Sequence, residues 1–355
     1  MTIATLNYRR KIAGLPLVRF NLTRLTPEDI QDLRDAYSAM YEISDIAIGD
    51  NRGYTAYARG HGYDQDLCHN DSRIFLTWHR SYIYAFEKAL NSALQWKRGN
   101  HNLELTLPYW DWTYFNQTTH ANNGLPKIVD TMTYTDPNGN TVNNPLARAK
   151  SIYRSISQGL VGETEYTQRF PQTLRQQISM YENEVDRYLN NPSFTSFSND
   201  LNFGAHGAVH VAVGGRNATS PLPGNIGDMR STVSAGFDPI FWLHHSMVDK
   251  IWFDWQALHP NANTPPHVLQ TPVYGGRPGS YFIDAETSLR YIYSSDSVEA
   301  VAASSGTLHF DSHESVTMSE TSKTSSLSES SRSVSLGTVT APFARAQLDF
   351  LRMRP

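Results

Sequence analysis

Hydrophobic residues recur at helical spacing in five separate stretches of the chain. The first, LTPEDIQDLRDAYSAMY, has Thr26 as its predicted N-cap and Pro27 at the first helical position, followed by two acidic residues. The second begins near residue 72, and its large apolar side chains fall on one stripe at three- and four-residue steps: Phe75, Trp78, Tyr82, Phe86 and Leu90. These patterns predict two long helices that each bury one face.

Three further helices are predicted after a long polar stretch. Residues 113–150 are rich in Asn, Thr, Gly and Pro, which is typical of a loop, and helical patterning returns in PQTLRQQISMYENEVDRYLN. The other two helices are predicted in AHGAVHVAV and in FWLHHSMVDKIWFDWQAL, where one face carries Trp242, His245, Val248, Asp249 and Trp252. The predicted fold class is therefore mainly α, a central antiparallel helix bundle with long loops.

The pattern changes near residue 304, where the chain becomes rich in Ser and Thr. Two interpretations of this stretch remain open. It forms either a flexible Ser-rich tail or short strands that begin a β-rich lid module, since VSLGTVTAPF and AQLDFLRM alternate polar and apolar residues. The sequence therefore predicts a catalytic or binding domain over residues 1–300 and a short, Ser-rich C-terminal extension over residues 301–355.

Composition and charge narrow the class of partner. At 355 residues the chain is long enough to bury about three quarters of its unfolded surface. Its formal net charge of −4 contains no long run of one sign, which argues against nucleic acid or a polybasic membrane surface as partner. The sequence has no membrane-spanning stretch and no secretory signal pattern, so a cytoplasmic location and export with a partner protein both remain open. Small molecules are the expected partners.

Histidine is the residue type with the clearest chemical signal. The chain has thirteen histidines and a single cysteine, Cys68, so a metal site would use imidazole nitrogen. His206 and His210 are four residues apart and would project from one helix face, although such a pair is unspecific by itself. No glutamate lies between them, which argues against a zinc protease.

Other histidines fall in or near the predicted buried helices. His79 follows Trp78 in FLTWHR and His61 lies in the loop before it, although a core histidine with satisfied hydrogen bonds is the alternative for His79. His244 and His245 are adjacent in an apolar helix, where side chains point about 100° apart, so one of the two is expected to face a metal. Together these histidines describe a nitrogen-rich site suited to copper, zinc or non-haem iron.

Taken together, these motifs resemble the tyrosinases and catechol oxidases, the type-3 dicopper phenol oxidases related to hemocyanins. The segments that carry the resemblance occur in the family's order over about residues 19–293: FLTWHRSYIYAFE (75–87), PYWDWT (108–113), HGAVH (206–210), DPIFWLHHSMVDKIW (238–252) and a Tyr-x-Tyr at 291–293. WHR or HxxxH alone would be unspecific, but their joint occurrence in this order is specific for the family.

The resemblance implies two copper ions held by histidine. It assigns His206, His210 and His245 to one copper. His61 and His79 are assigned to the other copper, and His244 is a neighbour that does not bind either ion directly. Arg80, Glu87, Asp111 and Asp249 lie in the same motifs, and we expect them to be structural. Asp249, one helical turn beyond His245, is expected to orient a ligand or pair with an arginine.

An asparagine occupies the sixth ligand position. In relatives that carry a cysteine at the position of Cys68, the ligand histidine lies two residues after that cysteine. The run from that cysteine to the histidine of WHR is as long in those relatives as the run from Cys68 to His79 is here, so Asn70 stands at the ligand position. Three interpretations remain open: a replacement of histidine by Asn70, a shift of register that recruits His69, or binding through the Asn70 amide oxygen, a poorer copper ligand than imidazole. A weak or absent copper on the His61 side is therefore one expectation.

The resemblance implies an enzyme that uses O2 to convert phenols or catechols to o-quinones. Many strong phenol hydroxylases of the family have an asparagine directly after the first histidine of HxxxH, where Gly207 stands here, and this difference favours catechol oxidation. Oxidation of o-aminophenols is one alternative. Oxygen binding as in a hemocyanin module is another, which the length of 355 residues disfavours. The expected partners are a small phenolic or catecholic substrate and O2.

Overall fold

The computed structural model describes residues 1–62, 71–151, 165–220, 222 and 224–305. Cys68, His69 and Asn70 lie outside these residues, and so do residues 306–355 of the C-terminal extension, so the interpretations given for them stay predictions. Within the described part the structure is mainly helical with small two-stranded sheets, which confirms the predicted fold class. The chain divides into two units, residues 1–302 and residues 303–355.

The described helices include all five that the hydrophobic pattern predicts. Their bounds are Ile3–Ile12 (α1), Pro27–Ile46 (α2), Tyr54–Ala58 (α3), Phe75–Arg98 (α4), Lys127–Asp130 (α5), Leu174–Leu189 (α6), Phe194–Leu201 (α7), Gly207–Gly214 (α8), Pro239–Leu258 (α9), Pro266–Gln270 (α10) and Val298–Ser305 (α11). None of them is long and apolar enough to cross a membrane.

Six described strands form three separate pairs. Their bounds are Leu17–Phe20 (β1), Thr133–Thr135 (β2), Thr141–Asn143 (β3), Lys150–Ser151 (β4), Glu165–Tyr166 (β5) and Tyr291–Ser294 (β6). The pairs β2–β3 and β4–β5 are antiparallel, whereas β1 and β6 pair in parallel with Leu17 opposite Tyr291. The β1–β6 pair therefore joins the two ends of the first unit.

The start of α2 follows the cap that the sequence predicts. The Thr26 hydroxyl accepts the Asp29 N–H at 3.2 Å, and the Asp29 carboxylate accepts the Thr26 N–H at 3.0 Å. This reciprocal pair satisfies two backbone donors that a helix start otherwise leaves unpaired. The helix then buries Leu33, Tyr37 and Met40 in the hydrophobic core that it shares with α4.

Helices α4 and α9 form the centre of the core. The predicted stripe of α4 is buried throughout, and Phe86 on this helix stacks on Trp242 of α9 with ring centroids 3.7 Å apart. The Asp238 carboxylate accepts the Ile240 N–H at 3.2 Å, and Pro239 takes the first helical position of α9. Because histidines lie on both helices, this packing brings them to the interior.

The loop predicted over residues 113–150 is wrong in part. The structure has the short helix α5 and the β2–β3 hairpin within this range. The hairpin turn is closed by the Asp136 carboxylate, which accepts the backbone N–H groups of Asn138 and Asn140 at 2.9 and 2.8 Å. Polar turn residues of this kind are typical of a loop, and the two strands are only three residues long each. The sequence pattern therefore predicts a loop where the structure has a short hairpin.

The helix predicted through AHGAVHVAV begins later than expected. Its α-helical part starts at Gly207, and the preceding Asn202–His206 is a π-helical segment in which Gly204 has non-helical angles of φ −93° and ψ −115°. A side chain on Gly204 would overlap the hydroxyl of Tyr188, which accepts the Ala205 N–H at 3.2 Å. The two histidines of HxxxH therefore lie on either side of the junction.

A buried ionic cluster joins the β1–β6 pair to α4 and α9. The carboxylate of Asp249 accepts hydrogen bonds from four side chains, at 2.5 Å from Arg80, 3.1 Å from Arg19, 2.6 Å from Tyr291 and 2.7 Å from Tyr293. Burial raises the pKa of Asp249, but Arg80 and Arg19 outweigh it and leave the pKa below its usual value. The carboxylate is therefore charged and fully paired.

Candidate metal centre

Histidine nitrogens meet in two groups within the described residues. The first group is His206, His210, His244 and His245, and the second is His61, His79 and His245. In each group the ligand atoms all lie within 4.8 Å of one another. The structure thus brings together the five histidines predicted as ligands, adds His244 to them, and gives His245 a place in both groups.

Different elements supply these side chains. His61 follows α3, His79 lies in the second turn of α4, and His244 and His245 lie in the second turn of α9. His206 ends the π-helical segment and His210 lies in α8. The centre is therefore assembled from four parts of the chain.

Four histidines have a ring orientation fixed by a backbone carbonyl. In each of them Nδ1 donates to a carbonyl oxygen: His61 to Thr232 at 2.9 Å, His79 to Phe75 at 2.9 Å, His206 to Asn202 at 2.9 Å and His210 to Met229 at 2.7 Å. A donating Nδ1 leaves the lone pair on Nε2, which is the arrangement found in metal-ligating histidine. The donor set therefore fits a metal ion.

The remaining two histidines lack such a carbonyl among the described residues. Neither ring nitrogen of His244 has a hydrogen-bond partner, and Nδ1 of His245 has none. Nε2 of His245 lies 3.3 Å from Nε2 of His210. The spacing of adjacent side chains predicts that one of this pair faces away, whereas the structure brings ligand atoms of both into one group.

Burial keeps this pair uncharged. His244 and His245 are both 0% exposed. Burial lowers the pKa of each ring well below the ordinary histidine value, and the neighbouring imidazoles lower it further. Metal binding needs the neutral imidazole, so no proton has to leave these rings at neutral pH before an ion binds.

The histidines of the centre differ in burial. Phe241 packs on His61 and His245 with ring centroids 4.7 and 4.3 Å away, and Phe75 packs on His206 at 4.7 Å. His61 and His79 are buried, whereas His206 and His210 are half-buried. The π-helical segment and α8 therefore carry the more solvent-accessible histidines of the centre.

The acidic residues of the predicted motifs form ion pairs and hydrogen bonds that stabilise the fold. Asp249 pairs with Arg80 and Arg19 as described above, and Glu87 pairs with Arg19 at 2.7 Å. Asp111 accepts the N–H of Thr113 at 3.1 Å in a local turn. Since Arg80 directly follows His79, the Asp249 pairing fixes a histidine-bearing turn of α4 against α9. This agrees with the expected structural role of these residues.

Some of the groups that orient the centre could not be read from the sequence. Thr232 and Met229 act through backbone carbonyls, which every residue type carries, and they lie 171 and 19 residues along the chain from His61 and His210, the histidines that they orient. Phe75 and Asn202 are different, because each lies four residues before the histidine that it orients, which is the normal reach within a helix.

Comparisons with known proteins agree with this geometry. The family model for the common central domain of tyrosinase matches residues 44–258. Hemocyanin 2 of Megathura crenulata is 29% identical over 272 residues, which covers 72% of this chain and 7% of the hemocyanin. Tyrosinase of Streptomyces glaucescens is 30% identical over 203 residues, which covers 54% of this chain and 65% of that enzyme. The chain thus spans less than two thirds of the length of these relatives.

Solved structures of the same two kinds share the fold. A tyrosinase from Burkholderia thailandensis aligns with a TM-score of 0.59 at 21% identity, over 80% of this chain and 75% of that chain. A functional unit of octopus hemocyanin aligns with a TM-score of 0.57 at 25% identity, over 78% and 67% of the two chains. The family model covers more than half of the chain and all six grouped histidines. The chain therefore belongs to the tyrosinase family of type-3 copper proteins.

Proposed function

We propose that this protein is a dicopper oxidase that converts catechols, and phenols more slowly, to o-quinones with O2. The observation that carries the proposal is the meeting of two histidine groups, with no acidic ligand in either among the described residues, inside a chain of the tyrosinase family. Imidazole nitrogen without carboxylate suits copper better than magnesium, calcium or manganese. Two copper ions, when bound, would supply the two electrons that the first reduction of O2 requires.

The proposed ligands follow the family assignment. His206, His210 and His245 would hold one copper, and His61 and His79 would hold the other with a ligand from position 69 or 70, outside the described residues. The carbonyl bonds of four of these rings hold their Nε2 atoms in place before an ion binds, so little ordering entropy is lost on binding. Asp249 would position His79 and His245 through the packing of α4 on α9.

Access and desolvation support an oxidase more than a closed carrier. His206 and His210 are half-buried, and beside them Phe203 is 73% exposed and Val211 is 44% exposed. A flat phenol ring would bind between such apolar side chains while Phe241 and Phe75 exclude water from the buried side. Reversible O2 binding is the second candidate, because the match to Hemocyanin 2 covers 72% of this chain.

Hydroxylation of phenols would be slow because position 207 offers no side chain. A residue there could order a water that takes the phenol proton, and a Cβ at Gly207 would lie 3.4 Å from the Asn202 carbonyl oxygen, an ordinary van der Waals contact. A positioned general base contributes roughly 10² to 10⁴ in rate, so we expect catechol to be oxidised about 100-fold faster than the matching phenol.

The experiment combines copper content with O2 uptake. Purified protein is analysed for copper per chain and then mixed with 4-methylcatechol, 4-methylphenol or 2-aminophenol while O2 and quinone absorbance are followed. We expect two coppers per chain, fast uptake with the catechol and little activity in His210→Gln. His120→Gln is the matched control, because His120 is a buried histidine outside both groups. Reversible O2 binding without quinone, or equal rates with phenol and catechol, would contradict the proposal.

A further inference from the structure

The π-helical segment Asn202–His206 buries little of its own surface. Ala205 is its one buried side chain, at 2% exposure, whereas Phe203 is 73% exposed and His206 is half-buried. Hydrophobic packing holds a segment with so few buried apolar groups only weakly. The shape of the segment therefore depends on hydrogen bonds and on the side chains of other elements that it meets.

Tyr188 of α6 contacts the middle of this segment. Tyr188 is 1% exposed, and its hydroxyl accepts the Ala205 N–H at 3.2 Å. A Cβ at Gly204 would overlap the same hydroxyl, and the buried ring has little room to move away. The hydrogen bond and the close approach together hold the bend at Gly204 in place.

The hydroxyl of Tyr188 is itself held by α6. It donates to the Glu184 carboxylate at 2.9 Å, and Arg187 pairs with that carboxylate at 2.7 Å. Burial and the bond to Glu184 raise the pKa of Tyr188 to about 12, so the hydroxyl keeps its proton at neutral pH. With its proton directed to Glu184, the hydroxyl presents a lone pair to the Ala205 N–H.

The bend at Gly204 lies between His206 and the carbonyl that orients it. Nδ1 of His206 donates to the Asn202 carbonyl at 2.9 Å, and Gly204 is the midpoint of the segment that these two residues delimit. This bond fixes the ring orientation that leaves Nε2 free to bind a metal. A change of backbone angles at Gly204 would therefore move the carbonyl relative to the ring.

We propose that Tyr188 is a positioning residue for the copper ligand His206, acting through its hydroxyl on the bend at Gly204. The inference rests on the proposed function, because it takes His206 as a ligand of one copper. A ligand that is in place only part of the time weakens metal binding by that fraction. Since one hydrogen bond changes such a population by roughly two- to tenfold, we expect loss of the hydroxyl to weaken that copper about fivefold.

Hydrogen exchange tests the positioning directly. Tyr188→Phe removes the hydroxyl and keeps the ring, and we expect the backbone amides of residues 202–206 to exchange about fivefold faster than in wild type. Tyr181→Phe is the matched control, because it removes a hydroxyl from the same helix that bonds to Gln177 at 2.7 Å. This control should leave exchange in the segment unchanged. Equal exchange in wild type and Tyr188→Phe would overturn the inference.

Copper release provides a second measurement. Each copper-loaded protein is reduced and mixed with a Cu(I) chelator such as bathocuproine disulfonate. We expect Tyr188→Phe to release one of its two coppers about fivefold faster than wild type and the other at the wild-type rate. Tyr181→Phe should match wild type for both. If Tyr188→Phe releases both coppers faster to the same extent, its effect is a general loss of stability and the inference is wrong.

A double variant tests the close approach at Gly204. Gly204→Ala alone places a methyl group against the Tyr188 hydroxyl, whereas in the Tyr188→Phe background the nearest ring carbon, Cζ, lies 3.0 Å from that position. We therefore expect Gly204→Ala to accelerate copper release more strongly with Tyr188 present than with phenylalanine there. Additive effects would mean that the two residues act independently, which contradicts the inference.

Failure of the inference and failure of the proposed function have different signatures. A wild-type chain that binds two coppers but oxidises no catechol contradicts the function, while faster exchange and faster release of one copper in Tyr188→Phe would still support the inference. If circular dichroism shows that Tyr188→Phe does not fold, Glu184→Ala decides in its place, because it removes the acceptor that directs the hydroxyl. Exchange in residues 202–206 that equals wild type in Glu184→Ala would then overturn the inference.

Discussion

Asp32 illustrates how the surroundings of a single residue set its charge. It lies on α2 with 7% of its surface exposed, and it accepts a hydrogen bond from Arg98 at 2.9 Å. Burial raises the pKa of Asp32 to about 6, although the charge of Arg98 acts in the opposite direction. The folded protein therefore holds a proton on Asp32 over a pH range where the unfolded chain, with a pKa of about 4, has released it.

This difference makes a prediction about pH. Between pH 4 and 6 the folded state binds more protons than the unfolded state at this residue, so its contribution to stability falls as pH rises. Asp32→Asn cannot ionise, and we expect it to gain about 1 to 2 kcal/mol relative to wild type over this range, since solvent near Arg98 weakens the full effect. Urea unfolding at several pH values measures it. Glu28→Gln, which removes an exposed carboxylate of the same helix, is the matched control.

The histidines show which residue-scale features a sequence predicts. His61, His79, His206, His210 and His245 are identified by their motifs, and the structure brings all five together. The presence of His244 in a histidine group was not predicted. The 100° between neighbouring side chains on a helix gives the direction of the Cβ atom and does not fix where the ring nitrogens lie. The state of position 70 also stays a prediction, since it lies outside the described residues.

At the scale of elements, the cap of α2 offers a direct test. The Thr26 hydroxyl is the acceptor for the Asp29 N–H, and a residue without a side-chain oxygen leaves that donor unpaired. Thr26→Ala should lower the free energy of unfolding by about 1 kcal/mol, whereas Thr26→Ser keeps the oxygen and should cost little. Urea unfolding compares the two. Equal losses in both variants would mean that the cap is not the cause.

Helices with their own start signals and one apolar face were predicted, and elements shaped by distant residues were not. Pro27 marks a helix start that is visible within a few residues. The π-helical segment Asn202–His206 depends on the Tyr188 hydroxyl, which comes from α6 and fills the space at Gly204. The parallel pairing of β1 with β6 joins strands from opposite ends of the unit, so no local pattern predicts it.

For the molecule as a whole, the Asp249 cluster connects segments that lie far apart in the chain. It contains the buried charges of Arg19, Arg80, Glu87 and Asp249, which balance each other. Removing one carboxylate charge leaves two buried arginines with one partner, and breaking a buried pair in this way typically costs about 3 to 5 kcal/mol. This cost is large compared with the total stability of an ordinary domain.

We therefore expect Asp249→Asn to be strongly destabilised. Denaturant unfolding should show a loss of about 3 kcal/mol or more, or a protein that no longer folds. Glu42→Gln is the matched control, because it makes the same chemical change in an exposed pair with Lys97, where less than about 1 kcal/mol is at stake. A similar small loss in both variants would show that the cluster does not hold the fold together.

The β1–β6 pair also sets when the Asp249 cluster is completed during synthesis. A ribosome releases Arg19 early, whereas Tyr291 and Tyr293, which bond the same carboxylate, emerge more than 270 residues later. Until then the Asp249 carboxylate lacks two of the hydrogen bonds that it accepts in the folded protein. A nascent chain that ends before β6 therefore contains all six grouped histidines but holds them on a scaffold whose buried carboxylate is incompletely paired.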